Sequence, residues 1–311
     1  MDSLIQLGAA KPAARLKGDR MTIERFSRTG TTGTQFESEG LLKSAPLPRE
    51  HGAWVMLLLP LLVGGVLGGH PGDMRLLELA GAAFLAFAAR NAASLFWRRR
   101  SNIIAGCWTI LYGIFALLLG LPLVAGPSGD AASMRLLALA VLPSLALFTL
   151  FVIVKPRSRF DRTTVGEIVG VAALTATGPA AYLISSGRLD RSAILLWAVN
   201  FIYYSGGVVY VKMRLDAMKH RADWTQPTKF ATGYLNLVLT LFVGAGVFVL
   251  AVEWPAHGML MAVAFAPALT RGLIGWVLLK PALPRLKYLG IAEATIALWF
   301  SLFLVFALRG T

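Results

Sequence analysis

Long apolar segments, separated by short polar ones, dominate the chain from residue 51 onward. Each is about twenty residues long, which matches the roughly 30 Å hydrocarbon layer of a bilayer at about 1.5 Å per helical residue. Backbone groups find no water in lipid, so such segments must be helices. The pattern predicts an all-α protein, a polytopic transmembrane bundle of about nine helices. The predicted spans are residues 51–69, 76–97, 102–124, 132–154, 164–185, 192–212, 230–252, 257–279 and 287–308.

The segment before the first span has a different character. Residues 1–48 are polar and rich in Gly, Ser, Thr, Lys and Arg, and they end in a proline-containing run. This composition is typical of disorder. We therefore predict two regions: a disordered basic cytoplasmic tail over residues 1–48 and a nine-helix transmembrane domain over residues 49–311.

Composition and charge agree with a membrane protein. The 311 residues are 56% hydrophobic and 15% charged, and the formal net charge is +14. Of the 30 Lys and Arg residues, 23 fall in the tail and the alternate loops on one side, against five on the other. The positive-inside rule then places the N-terminus in the cytoplasm and the C-terminus outside. Because the basic residues are spread over every cytoplasmic loop without an interleaved set of aromatic stacking positions, nucleic-acid binding is not expected.

Several ionisable residues stand inside the predicted spans, where each costs at least about 2.5–3.5 kcal/mol on insertion scales. With the predicted orientation, all of them fall in the cytoplasmic half of the bilayer. The polar residues of interest are Arg90 and Asn91 in span two, Glu167 at the start of span five, Arg271 in span eight, Glu293 in span nine, His51 at the start of span one, and Tyr210, Lys212 and Arg214 at the end of span six.

Two interpretations of these residues remain open, and they do not exclude each other. In the first, Arg90 and Arg271 form buried ion pairs with Glu167 and Glu293 that orient the helices. In the second, the basic residues line a cationic pocket facing the cytoplasm, in which guanidinium groups hold a phosphate or carboxylate. The predicted substrate-binding residues are Arg90, Asn91, Tyr210, Lys212, Arg214 and Arg271.

Proton transfer is the chemistry that the titratable residues of this region suggest. His51, Glu167 and Glu293 are the candidate catalytic residues, and the role requires a suitably tuned pKa. No His, Cys or carboxylate residues have the spacing of a structural metal site, so no metal ligand is predicted. The sequence also lacks a glycine-rich loop that would cradle a nucleotide phosphate.

The run Arg49-Glu50-His51-Gly52-Ala53-Trp54 before an apolar span resembles the YwiC-like family of bacterial membrane proteins. The resemblance extends over most of residues 49–308 and also rests on the residues listed here: Arg90-Asn91, Glu167, Tyr210-Val211-Lys212, Arg214, Arg271 and Glu293. It implies a multi-pass protein of the bacterial cytoplasmic (inner) membrane. It implies no particular reaction, because the family has no established activity.

A more distant resemblance is to the UbiA superfamily of intramembrane prenyltransferases, which are nine-helix proteins of the same orientation. It is carried by Lys155-Pro156-Arg157, by Gly166 and Gly178-Pro179 in span five, and by Arg90-Asn91. The superfamily holds magnesium with an Asn-Asp-x-x-Asp motif, whereas this chain has the basic run 96–102 there. Only Asp216 and Asp223 follow span six. No cofactor is therefore predicted, and magnesium is not expected to bind in the UbiA manner.

The sequence thus favours a membrane protein with a UbiA-prenyltransferase-like bundle, whose cationic pocket binds or modifies an anionic or isoprenoid lipid. Whether it is an enzyme stays open. One alternative is a small-solute or proton-coupled transporter, motivated by the intramembrane carboxylates. Another is a non-catalytic membrane scaffold that uses the basic tail. The lipid bilayer is the expected partner, and protein partners are not specified by the sequence.

Overall fold

The computed structural model describes residues 51–98, 103–125, 135, 163–282 and 286–309, all within one contact unit, Ser44–Thr311. These residues are mostly helical, and they contain no strand. The helices are α1 (His51–Leu67), α2 (Met74–Arg98), α3 (Ile103–Ala125), α4 (Thr164–Thr175), α5 (Thr177–Ser186), α6 (Arg191–Lys219), α7 (Gln226–Glu253), α8 (Pro255–Val277) and α9 (Leu286–Leu308).

The predicted all-α transmembrane class is confirmed. Seven helical segments of 22 to 29 residues are long and apolar enough to cross a bilayer, with α4 and α5 counted together as Thr164–Ser186, and α1 is a shorter apolar helix. Eight of the nine predicted spans coincide with described helices. The fourth span, 132–154, lies outside the described residues, as do the tail of residues 1–48 and the basic loop that contains Lys155, so the count of nine stays a prediction.

Helices α1 and α5 approach each other very closely through glycines. A Cβ atom placed on Gly64 would lie 2.1 Å from the carbonyl oxygen of Gly178, and one on Gly68 would lie 2.4 Å from Ser185 Cβ. Small residues allow such contact between membrane helices, where packing replaces the hydrophobic effect as the driving force. The two helices also share a hydrogen bond, because the Thr177 hydroxyl donates to the Leu57 carbonyl at 2.8 Å.

The main apolar core joins α6, α8 and α9 with part of α1. The ring of Tyr203 on α6 stacks on Phe300 of α9, with centroids 3.7 Å apart, and Phe265 of α8 packs edge-on against both rings. Phe300 and Leu304 are fully buried. This aromatic cluster fixes the three helices that carry the site described below.

Helix α6 continues seven residues beyond its predicted end at residue 212. In this extension Met213 and Ala217 are buried against Leu279, while Lys219 is exposed. A hydropathy pattern detects the membrane-spanning part of such a helix but not an amphipathic extension. The following helix, α7, begins at Gln226 after the Thr225 hydroxyl caps it by accepting from the Thr228 amide.

Candidate functional site

An ion pair between Arg271 and Glu293 lies well inside the bundle. The guanidinium Nη1 of Arg271 donates to Oε2 of Glu293, and the two side chains are only 14% and 22% exposed. Arg271 stands about 9 Å before the end of α8, and Glu293 stands about 10 Å into α9. The pair therefore joins two neighbouring helices within the apolar layer.

The ring of Tyr210 on α6 completes this arrangement. The Arg271 guanidinium carbon lies 4.5 Å from the Tyr210 ring centroid, which is a cation–π contact. Gly275, one turn after Arg271, makes room for the ring, because a Cβ there would lie 2.4 Å from Tyr210 Cε2. Gly207, on the same helix as Tyr210, lies next to the Glu293 carboxylate, because a Cβ added to Gly207 would lie 3.5 Å from Glu293 Oε2. Three helices thus hold one cation.

A cleft of about 730 Å³ opens from this cation to the protein surface. Its lining residues come from α6 and from α8 with the residue that follows it: Tyr210, Arg214, Ala266, Pro267, Thr270, Arg271, Ile274, Gly275 and Leu278. Ala266, Thr270, Ile274 and Leu278 recur every four residues and form one exposed stripe, about 18 Å long. We call this stripe the α8 wall. The cleft therefore combines a mostly apolar wall with two guanidinium groups.

The two arginines of the cleft differ in their partners. Arg271 is paired with Glu293, whereas no carboxylate of the described chain lies within 4.0 Å of Arg214. Arg214 follows Tyr210 by one turn, about 6 Å toward the end of α6. It is half-buried. The cleft accordingly carries positive charge in excess.

The ion pair also leaves hydrogen-bonding capacity unused. Arg271 Nε and Glu293 Oε1 are buried and have no hydrogen-bond partner among the described residues. Buried polar groups are normally paired, so such atoms identify a place where another group is expected. A second cavity of about 30 Å³ borders Arg271 and is lined partly by Asn236 and Thr240. It is large enough for one water-sized group.

Lys212 and Glu167 form a separate contact on another side of α6. Lys212 Nζ lies 3.3 Å from Glu167 Oε2 and 3.4 Å from the Thr164 hydroxyl. Two residues along a helix rotate a side chain by about 200°, so Lys212 points away from the direction of Tyr210. The Thr163 hydroxyl caps α4 by accepting from the Gly166 amide. That cap places Glu167 in the first turn, where a negative charge is favoured.

The remaining predicted site residues do not line the cleft. Arg90 and Asn91 are half-buried in α2, which packs on α1, α3 and α5, and His51 begins α1. The structure therefore divides the predicted pocket: Tyr210, Arg214 and Arg271 meet at the cleft, whereas Lys212 and Glu167 meet between α4 and α6.

No cation-binding cluster accompanies the cleft in the described part of the chain. No three His, Cys, Asp or Glu residues there lie close enough together to hold a metal ion. Asp216, one of the two acids after the transmembrane part of span six, pairs with Lys219 at 2.5 Å.

Comparison with known proteins finds a similarity in the first half of the bundle. Residues 47–182 match the model of the YwiC-like protein family. The chain is also 26% identical over 179 residues to a protein of Bacillus subtilis (strain 168) named uncharacterized protein YwiC, across 57% of this chain and 70% of that protein. No solved structure matches the chain. The YwiC-like resemblance is confirmed, and the chain is a multi-pass membrane protein.

The YwiC-like match covers α1, α2, α3 and most of the α4–α5 segment, with His51, Arg90, Asn91 and Glu167, and it ends before α6. The cleft therefore lies beyond the matched segment. Sequence reasoning had singled out its charged residues but missed the α8 wall and Gly275. The four-residue spacing of the wall was a usable signal, whereas the contact between Gly275 and Tyr210 depends on which helices are neighbours.

Proposed function

We propose that this YwiC-like protein binds an anionic or isoprenoid lipid in the cleft between α6 and α8. The observation that carries the proposal is the combination of Arg214, which has no carboxylate beside it among the described residues, with the exposed α8 wall. A headgroup would lie between Arg214 and Arg271, and its hydrocarbon chain would follow the wall toward the middle of α8.

The chemistry of the two arginines supports an anionic headgroup. A guanidinium is always charged and presents a planar fork of donors that matches phosphate and carboxylate oxygens. Hydrogen bonds to charged groups contribute about 1.5–3 kcal/mol each. The surroundings are apolar, so water competes less for these donors than at an ordinary surface. An anionic lipid at the cleft would thus gain a net attraction that a neutral lipid lacks and that the positive group of a zwitterionic headgroup offsets.

The shape of the wall supports a lipid rather than a small soluble anion. Ile274 and Leu278 are 51% and 60% exposed and stand on the same face as Ala266 and Thr270. This face extends over about 18 Å from the middle of α8 to its end. A soluble anion would use only the arginine end, whereas an acyl or isoprenoid chain would cover the whole wall.

The cleft would face the cytoplasmic leaflet of the bacterial inner membrane. The proposed orientation, with the N-terminus in the cytoplasm and the C-terminus outside, follows from the distribution of Lys and Arg. The basic residues Lys229 and Lys280 stand near the end of α8, where Lys229 Nζ donates to the Val277 carbonyl at 2.7 Å. Basic residues at such a position attract anionic lipids of that leaflet.

A catalytic role would extend this proposal. Of the candidate acids, Glu293 adjoins the cleft through Arg271, while Glu167 is paired with Lys212 on another side of α6. Proton transfer to a bound lipid would therefore fall to Glu293, with His51 as the further sequence candidate. The UbiA-like arrangement of the bundle belongs to the same proposal, without magnesium as the group that holds the headgroup.

The test is native mass spectrometry of the gently solubilised full chain, with lipid analysis of what co-purifies. Arg214→Gln is the informative variant because its loss leaves no carboxylate of the described chain unpaired, and Arg221→Gln in the exposed loop after α6 is its control. We expect one anionic lipid per chain in the wild type and the control. In Arg214→Gln its affinity should fall at least about tenfold, as loss of a charged hydrogen bond implies. Equal amounts of bulk phospholipid in all three proteins would contradict the proposal.

A further inference from the structure

We propose that the cleft selects a singly charged headgroup, a phosphodiester or a carboxylate, and that Glu293 sets this limit. This inference rests on the proposed lipid binding and names the class of lipid. Its basis is the charge inventory of the site. The described cleft and the pair behind it hold two guanidinium groups, Arg214 and Arg271, and one carboxylate, Glu293.

The inventory leaves one unit of positive charge for a ligand. Glu293 already neutralises one guanidinium, because its Oε2 accepts directly from Arg271 Nη1. A headgroup with one negative charge would make the site neutral. Uncompensated charge is costly in an apolar environment, so a neutral complex is the favoured one.

A more highly charged headgroup would meet repulsion at the same place. A phosphate monoester carries about −1.5 to −2 charges at pH 7, so part of its charge would remain uncompensated beside Glu293. A like charge within about 4–6 Å typically disfavours the charged form of a group by a factor of ten or more. No cluster of three potential metal ligands among the described residues could hold a cation to offset the excess. A diphosphate, with still more charge, would be disfavoured further.

Glu293 is therefore a specificity-determining residue that acts through Arg271 and through its own charge. Its second oxygen, Oε1, is buried and has no hydrogen-bond partner among the described residues. Gly207 of α6 packs against Oε2, so the carboxylate is held close to the helix that carries Arg214. Removal of the negative charge of Glu293 should therefore allow the cleft to bind a headgroup that carries one more negative charge.

The experiment compares three lipids with the same acyl chains, titrated into the detergent-solubilised full chain at pH 7 and followed by native mass spectrometry. Phosphatidylglycerol carries a phosphodiester, phosphatidic acid carries a monoester, and phosphatidylcholine is the zwitterionic reference. The variants are Glu293→Gln, which keeps an oxygen that can accept from Arg271, and Glu293→Asp, which keeps the charge. Asp216→Asn is the control, because it removes the same charge from a position exposed to solvent on α6.

In the wild type we expect phosphatidylglycerol to bind more tightly than phosphatidic acid. In Glu293→Gln the ratio of the two affinities should shift toward phosphatidic acid by at least about tenfold. Glu293→Asp and Asp216→Asn should keep the wild-type ratio. The same ratio in wild type and folded Glu293→Gln, or an equal shift in Asp216→Asn, would overturn the inference while leaving lipid binding in place. If neither anionic lipid bound more tightly than phosphatidylcholine, the proposed function itself would fall.

Discussion

Replacing Arg271 or Glu293 alone should destabilise the protein about as much as replacing both together. A buried ion pair that loses one partner leaves an uncompensated charge, and such losses cost about 3–5 kcal/mol when burial is complete. The side chains here are 14% and 22% exposed, so some solvent remains available and the cost should fall somewhat below that range. We expect Arg271→Met and Glu293→Leu each to reduce the free energy of unfolding by about 2–3 kcal/mol.

The two single substitutions leave different charged residues unpaired, and these residues differ in how they can reduce the cost of burial. A lone Glu293 can become neutral by taking a proton, which costs about 4 kcal/mol for an ordinary glutamate at pH 7. A lone Arg271 cannot lose its proton and must use the open cleft for solvation. In the double variant neither charge remains, so we expect a coupling energy of about 2–3 kcal/mol between the two sites.

The assay is a double-mutant cycle on the solubilised protein, with unfolding by dodecyl sulfate followed by tryptophan fluorescence. The exposed pair Asp216–Lys219, with side chains 47% and 69% exposed, serves as the reference pair. Its coupling energy should be under about 1 kcal/mol. Additivity of the Arg271 and Glu293 substitutions within about 0.5 kcal/mol would refute the reasoning, since it would mean that the pair does not interact in the folded protein.

Three further substitutions test other parts of the account. Gly64→Ala should reduce the free energy of unfolding by about 3 kcal/mol or more, because the new Cβ would lie 2.1 Å from a backbone oxygen of α5. Gly246→Ala is the control and should have no such effect, because nothing lies within 4 Å of its added Cβ. Gly275→Ala should displace the Tyr210 ring from Arg271 and weaken binding of an anionic lipid, measured by native mass spectrometry beside the same Gly246 control. Asp73→Asn, at the start of α2, should reduce stability at pH 7 by under about 1 kcal/mol.

The Asp73 prediction also has a definite pH dependence. Hydrogen bonds from Arg75 lower the pKa of the Asp73 carboxyl below its usual value of 3.8. A carboxyl with a lowered pKa stabilises the fold above the unfolded-state pKa, and that contribution is lost as the pH falls through the folded-state value. Unfolding measurements on wild type and Asp73→Asn should therefore differ at pH 7, the difference should begin to shrink near pH 3.8, and the two should converge only below the lowered folded-state pKa. A difference that persisted in acid would exclude the ion pair as its cause.

The membrane-spanning architecture was predictable because hydropathy depends only on local sequence. The predicted spans around α2, α3 and the α4–α5 segment end within two residues of the described helices. The end of α6 was missed because its last two turns are amphipathic rather than apolar. Among the glycines of the α4–α5 segment, an added Cβ on Gly170 would meet nothing within 4 Å. The close contact lies at Gly178, and locating it requires knowing that α1 is the neighbour of α5.

The candidate site was predictable in its residue types but not in its grouping. The free-energy cost of placing an ionisable residue in a membrane span indicated that Arg271 and Glu293 need partners. In the structure they pair with each other. Lys212 had been grouped with Tyr210 and Arg214 because the three are close in sequence. Helical rotation instead directs Lys212 to Glu167 on α4. Which charged residues share a cavity depends on helix order and rotation, and a single sequence does not contain that information.

The most direct test of the central claim is photo-crosslinking in native membranes with an anionic lipid that carries a photoreactive group in its acyl chain. Peptide mapping of the wild type and of Arg214→Gln would locate the labelled residues. We predict labelling concentrated on Ala266–Leu278 of the wild type and strongly reduced in Arg214→Gln. Labelling spread evenly over the lipid-exposed faces of all helices, and unchanged in the variant, would contradict a lipid site between α6 and α8.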